Sequence, residues 1–116
     1  MKKIYKILIT GGAGYIGSML STKLINLGNK VTVIDKLEYD TRSLSHLYLN
    51  ENFTFYKKDV RDKKFLKKIV KNFDFIIPLA GLVGAPLCEK RKKDAKEINL
   101  QAVKDLISLL SKKQKI

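Results

Sequence analysis

The chain has 116 residues with a formal net charge of +13, and 45% of its residues are hydrophobic. This length predicts a single domain, residues 1–116, that can bury a core. The single cysteine, Cys88, excludes a disulfide framework and a metal site of four cysteines, and no run approaches the roughly 20 apolar residues of a membrane span. The apolar run near the N-terminus is also too short for a signal peptide, so we expect a cytoplasmic protein. We expect no metal site.

Four short apolar runs alternate with segments of helical periodicity. The runs are typical of strands buried in a parallel sheet, and the helical segments repeat apolar residues three or four positions apart. The predicted strands are residues 7–10, 31–35, 53–56 and 74–78, and the predicted helices are residues 16–27, 44–49, 62–72 and a last helix that begins near residue 90 and includes Leu109. This alternation predicts an α/β domain in which helices cover both faces of a parallel sheet.

Four glycines lie between the first strand and the first helix, within "GGAGYIG" at residues 11–17. Gly12, Gly14 and Gly17 fit the pattern G-x-G-x-x-G, and Gly11 together with the last two fits a related form with three-residue spacing. In such a loop one glycine permits a tight turn, a second lets a pyrophosphate approach the backbone, and a third lets the helix pack close to the strand. The N–H groups at the helix N-terminus then face the phosphates. The pattern predicts a dinucleotide-binding site.

An acidic residue, Asp35, ends the second predicted strand. A carboxylate at this place is expected to accept hydrogen bonds from the adenosine ribose hydroxyls and to repel a 2′-phosphate, which favours NAD over NADP. Lys36 and Arg42 lie near enough in the sequence to soften that repulsion. A phosphate-binding loop of the NTPase type is excluded, because Ser18 stands where its lysine is required. The alternative interpretation is a glycine-rich turn that binds no ligand.

Five stretches resemble the extended short-chain dehydrogenase/reductase family, the NAD-dependent sugar-nucleotide epimerases and dehydratases. They are "TGGAGYIG", "VTVID", "KKDVRD", "IIPLAGLVGAP" and "EINLQAV", and they follow one another along essentially the whole chain. The resemblance implies a Rossmann-like, doubly wound parallel sheet, truncated after about four strands. In the strand order of this family, 3-2-1-4-5-6, the fourth strand is interior. We therefore expect the outer edge of residues 75–77 to lack a neighbouring strand here.

The same resemblance implies which residues surround the cofactor. Asp59 would meet the adenine amino group, Val60 would offer backbone contacts, and Asn99 would support the active site. The full set of implied cofactor residues is Gly11, Gly14, Tyr15, Ile16, Gly17, Asp35, Lys36, Asp59, Val60, Leu79, Ala80, Gly81 and Asn99. The resemblance also implies a nucleotide-sugar substrate for the full-length enzyme and assembly as a homo-oligomer.

The chemistry of this family requires a Tyr-x-x-x-Lys pair. The lysine lowers the pKa of the tyrosine, and the tyrosinate takes a proton from a sugar hydroxyl. None of the five tyrosines in this sequence has a lysine four positions later. We therefore expect the cofactor-binding half of an enzyme, cut short before its catalytic residues, and we assign no catalytic residue.

The positive charge comes from 21 lysines and only three arginines, spread over several predicted helices. Proteins that read duplex DNA favour arginine, so we interpret the lysines as solvated helix faces. Two alternatives stay open, an NAD-binding regulatory module without catalysis and a basic domain associated with nucleic acid. Downstream codons that contain a Tyr-x-x-x-Lys pair would favour an enzyme over the module, and salt-dependent retention on DNA would favour the basic domain.

Overall fold

The computed structural model describes residues 3–38, 42–82 and 84–116. Its strands form one parallel sheet in the order β3-β2-β1-β4. The strands are β1 (Lys6–Thr10), β2 (Lys30–Asp35), β3 (Phe53–Lys57) and β4 (Phe75–Pro78). Strand β2 lies beside β1 and β3 lies beside β2. The chain then crosses over, so that β4 lies on the other side of β1. This confirms the Rossmann-like, doubly wound α/β arrangement, whose point of reversal is the carboxyl end of β1.

Helices connect the strands, and short 3-10 turns adjoin them. The helices are α1 (Tyr15–Asn26), α2 (Lys63–Ile69), α3 (Ala85–Lys90), α4 (Lys92–Lys96) and α5 (Ala102–Ser108), with 3-10 turns at Ser45–Leu47 and Val70–Asn72. The start of α2 is explained locally, because the Asp62 side chain accepts a hydrogen bond of 3.0 Å from the Phe65 N–H and thereby caps the helix. Within the described ranges, every helix is too short or too polar to cross a membrane.

Successive residues of β1 enter two different buried clusters. Ile9 packs in the cluster that contains Ile25 of α1, whereas Leu8 packs in the cluster that contains Leu66 of α2 and Leu106 of α5. Neighbouring strand residues point to opposite faces, so helices cover the sheet on both sides. This explains why β1 reads as a continuous apolar run after Lys6. Each fully buried aliphatic side chain contributes roughly 1.5–3 kcal/mol to stability.

The segment after β4 differs from the single last helix that the sequence predicts. A break at Arg91, with a φ of −125° and a ψ of 51°, separates α3 from α4. From α4 the chain continues through a π-helical turn, Glu97–Gln101, into α5. Leu109 lies just after α5 and packs against the cluster of Leu8. Turns of π-helix are rare in proteins, and those that do occur are often found at functional sites.

The outer edge of β4 has a neighbour, so the expectation of an unpaired edge is wrong for part of this strand. Lys115 forms a parallel bridge with Phe75. The Ile76 N–H donates to the Lys115 carbonyl at 2.8 Å, and the Lys115 N–H donates to the Asp74 carbonyl at 3.1 Å. These bonds satisfy backbone groups that a bare sheet edge would expose.

Candidate cofactor-binding site

The loop between β1 and α1 packs so tightly that two of its glycines accept no side chain. A Cβ atom on Gly11 would lie 2.4 Å from the backbone nitrogen of Ala80, and a Cβ atom on Gly17 would lie 2.5 Å from the Cα of Gly12. Gly11 also has a φ of +75°, a conformation that favours glycine. Its N–H donates to the Ile34 carbonyl at 2.7 Å. The loop is therefore fixed against both β2 and the residues that follow β4.

Gly14 differs from these glycines, because packing within the protein does not require it. It is exposed, its φ of −72° suits any residue, and the nearest atom that a Cβ would meet is the Gly11 carbonyl oxygen at an ordinary 3.5 Å. Gly14 immediately precedes the first turn of α1 and, as a glycine, has no side chain with which to cap this end of the helix. The missing side chain leaves room beside N–H groups that have no partner within the helix. Such a place suits an anionic ligand.

A cleft of about 670 Å³ is lined by residues that follow all four strands. Its volume falls within the range of small-molecule sites. Every residue that the sequence assigns to the cofactor, apart from Asn99, lines this cleft: Gly11, Gly14, Tyr15, Ile16, Gly17, Asp35, Lys36, Asp59, Val60, Leu79, Ala80 and Gly81. The fold therefore brings together four separate segments at the reversal point where open α/β sheets bind ligands. The binding role of these residues stays a prediction.

The Asp35 carboxylate holds the glycine loop in place. Its Oδ2 accepts a hydrogen bond from the Ala13 N–H at 2.9 Å, and its Oδ1 accepts one from the Leu37 N–H at 2.7 Å. Leu37 has a φ of 57°, which is uncommon outside glycine. The Ser43 hydroxyl, which is not among the residues predicted from the sequence, donates to the Ala13 carbonyl at 2.7 Å. A carboxylate has about four acceptor positions, so Asp35 can hold the loop and still accept ribose hydroxyls.

Asp59 is held by Arg61, which is not among the residues predicted from the sequence to bind the cofactor. Arg61 donates from Nε to Asp59 Oδ1 at 3.0 Å and from Nη2 to Asp59 Oδ2 at 2.7 Å. Lys36 Nζ lies 3.7 Å from the same Oδ2. The side-chain hydrogen bonds from Arg61 lower the pKa of Asp59 to about 2, so its carboxylate is ionised at neutral pH. The alternation of aspartate and arginine in "KKDVRD" is the sequence signal that could have indicated this pair.

Asn99 does not line the cleft and lies on the π-helical turn. Its Oδ1 accepts a hydrogen bond from the Leu82 N–H, and its Nδ2 donates to the Leu82 carbonyl, both at 2.8 Å. A Cβ atom on Gly81 would lie 3.0 Å from the Asn99 Oδ1, so the two segments pack closely. Asn99 thus holds the loop after β4 through both backbone groups of Leu82. Val83, which belongs to the same predicted loop, lies outside the described residues.

Known proteins match this chain along nearly its whole length. The chain is 30% identical over 115 residues to a UDP-N-acetyl-alpha-D-glucosaminuronate decarboxylase of Bacillus cytotoxicus, a match that covers 99% of this chain and 35% of that protein. The structure of a UDP-N-acetylglucosamine 4-epimerase from Methanobrevibacter ruminantium matches with a TM-score of 0.83 at 32% identity, over 93% of this chain and 34% of that one. A UDP-glucose 4-epimerase of Thermus thermophilus, solved in complex with NAD, matches with a TM-score of 0.76 at 25% identity, over 90% and 33%.

The chain spans about a third of the length of these relatives, and it matches their N-terminal portion. The model of the "NAD dependent epimerase/dehydratase family" matches residues 7–115. This range includes the glycine loop, the four strands apart from Lys6 at the start of β1, and the turn that carries Asn99. The chain therefore belongs to the NAD-dependent epimerase/dehydratase family.

Proposed function

We propose that this chain binds NAD in the cleft, with the pyrophosphate at the N-terminus of α1. The observation that carries the proposal is Gly14, an exposed glycine whose neighbours leave space for a side chain. A pyrophosphate in that space explains why a side chain is absent, since a Cβ atom would stand between the phosphates and the helix N–H groups. The first turn of α1 also contains no acidic residue that would repel the phosphates.

The remaining cleft residues would contact either the adenosine half or the nicotinamide half of the cofactor. Asp35 would accept hydrogen bonds from the adenosine ribose, and Asp59 and Val60 would face the adenine. Leu79, Ala80 and Gly81 would lie along the nicotinamide half, on the loop that Asn99 holds. NAD supplies a hydride acceptor when it is bound. The residues of this chain would orient the cofactor and leave proton transfer to groups elsewhere.

The substrate of the whole enzyme is proposed from the relatives. The three proteins described above are named for UDP-linked sugars. We therefore propose a nucleotide sugar as the substrate that a longer protein of this family would present to the bound NAD. Assembly as a homo-oligomer and a cytoplasmic location stay predictions, and light scattering of the purified protein tests the first of these.

NAD is expected to bind more tightly than NADP, because the Asp35 carboxylate would stand beside the adenosine ribose and repel a 2′-phosphate there. Titration calorimetry with each cofactor measures the two dissociation constants, and their ratio gives the preference for NAD over NADP. Asp35→Ala should narrow the ratio by roughly tenfold, the effect of one charge-assisted contact. The same substitution also weakens the glycine loop, because Ala13 loses its hydrogen-bond acceptor. The comparison therefore uses the ratio of the two affinities in each protein, and tighter binding of NADP by the unmodified chain would contradict the prediction.

The chain by itself is expected to show no oxidoreductase turnover. Its sequence contains no Tyr-x-x-x-Lys pair to remove a proton from a sugar hydroxyl as hydride leaves. Incubation with NAD and UDP-linked sugars should leave the absorbance of reduced cofactor at the level of a protein-free sample. Reduction above that level would mean that another group in this chain performs the proton transfer.

A further inference from the structure

Arg61 joins Asp59, which lines the cleft, to α4 and the π-helical turn. Its Nε and Nη2 bind the two carboxylate oxygens of Asp59 as a fork, and its backbone N–H donates to Asp59 Oδ1 at 2.9 Å. Its Nη1 donates to Asp94 Oδ1 at 3.0 Å and to Glu97 Oε2 at 2.8 Å. Two parallel bonds from a guanidinium to a carboxylate fix the orientation of both groups.

The guanidinium is itself held on the side away from Asp59. Asp94 also accepts from Nε of Arg91 at 3.0 Å, and Arg91 in turn pairs with Glu38 on the segment after β2. Arg61 therefore cannot turn away from Asp59 without breaking bonds to α4 and to the π-helical turn. The rotamer of Asp59 is consequently set by residues more than thirty positions later in the chain.

We propose that Arg61 is the positioning residue that makes the site select adenine, an inference that rests on the proposed binding of NAD. Arg61 does not line the cleft, whereas Asp59 does. The fork fixes the orientation of the Asp59 carboxylate, so that it can accept a hydrogen bond from the exocyclic amino group of the base. An ionised carboxylate is an acceptor that carries no proton to donate. A base with an oxo group at that position would therefore be repelled.

The test compares NAD with nicotinamide hypoxanthine dinucleotide, which replaces the adenine amino group by an oxo group and carries a proton on the adjacent ring nitrogen, while the riboses, pyrophosphate and nicotinamide are unchanged. Titration calorimetry measures both affinities in the unmodified protein, Arg61→Met, Arg61→Lys and Asp59→Asn. The unmodified protein should prefer NAD by about tenfold or more, the effect of one hydrogen bond to a charged group. Lys64→Met removes one positive charge from the exposed face of α2 and should keep the full preference.

Arg61→Met should reduce the preference to less than about threefold while NAD still binds, because the glycine loop is untouched. Arg61→Lys keeps a charge but loses the fork, so its preference for NAD should lie between that of the unmodified protein and that of Arg61→Met. This variant still tests the inference if Arg61→Met does not fold. Asp59→Asn should lose the preference as fully as Arg61→Met. A preference that is unchanged in Arg61→Lys and Arg61→Met would overturn the inference, and so would equal binding of both dinucleotides by the unmodified protein. If neither dinucleotide binds the folded unmodified protein, the proposed function fails and this inference fails with it.

Discussion

Gly14→Val is expected to abolish NAD binding while the protein stays folded. The backbone at this position suits valine, and the nearest atom to a new Cβ lies at an ordinary 3.5 Å. The branched side chain would occupy the space in which we place the pyrophosphate. Loss of one or two charge-assisted hydrogen bonds to phosphate, each of roughly 1.5–3 kcal/mol, lowers the affinity by about 10- to 10,000-fold. The free energy of unfolding should change by less than about 1 kcal/mol.

Gly17→Val is the matched control for this substitution. It adds the same side chain three residues later, where a Cβ atom would lie 2.5 Å from the Gly12 Cα and 2.7 Å from the Gly11 carbonyl oxygen. Because backbone atoms cannot give way as a flexible side chain can, this variant should lose about 3 kcal/mol of stability or more. Calorimetry with NAD and urea denaturation separate the two effects. Unchanged NAD affinity in Gly14→Val would show that the glycine at this position has no role in binding.

Asp59→Asn is expected to remove stability that depends on pH. The Arg61 side chain lowers the pKa of Asp59 from 3.8 to about 2. A carboxyl group with a lowered pKa in the folded state stabilises that state above its unfolded pKa, and the contribution is lost as the pH falls from about 4 towards 2. The shift corresponds to roughly 1–2 kcal/mol once solvent screening of this partly exposed group is considered.

Urea denaturation of the unmodified protein and of Asp59→Asn at several pH values measures this contribution. The unmodified protein should be the more stable at pH 6, and the difference between the two proteins should shrink as the pH falls below about 4. Glu51→Gln removes the same charge at an exposed position and serves as the control for net charge. A difference between the unmodified protein and Asp59→Asn that stays constant down to pH 3 would show that the Arg61 pair does not stabilise the fold in this way.

Features carried by a continuous stretch of sequence could be predicted. The apolar run of β1, the glycines after it and Asp35 at the end of β2 each have a local physical reason, and the parallel sheet brings their ends together. The capping of α2 by Asp62 is another local signal. For this reason the order of the elements and the lining of the cleft follow from the sequence with few errors.

Features that depend on distant contacts could not be predicted. The contact between Arg61 and Asp59 is local. The bonds from Arg61 to Asp94 and Glu97, by contrast, join residues that only the fold brings together. The π-helical turn has no periodicity that separates it from an α-helix, so the sequence predicts one unbroken helix around Asn99. The bridge between Lys115 and β4 likewise depends on the packing of the last residues against the sheet edge.

A nuclear magnetic resonance titration of the backbone amides with NAD tests the central claim most directly. It reports both whether the cofactor binds and which residues it approaches. We predict saturable shifts that cluster at residues 11–17, 35–36, 59–60 and 79–81. The amides of the lysines in α2 and in the 3-10 turn that follows it should stay unmoved; these are Lys63, Lys64, Lys67, Lys68 and Lys71. A folded protein whose cleft amides do not respond to NAD, or whose shifts follow the α2 lysines instead, would contradict the account.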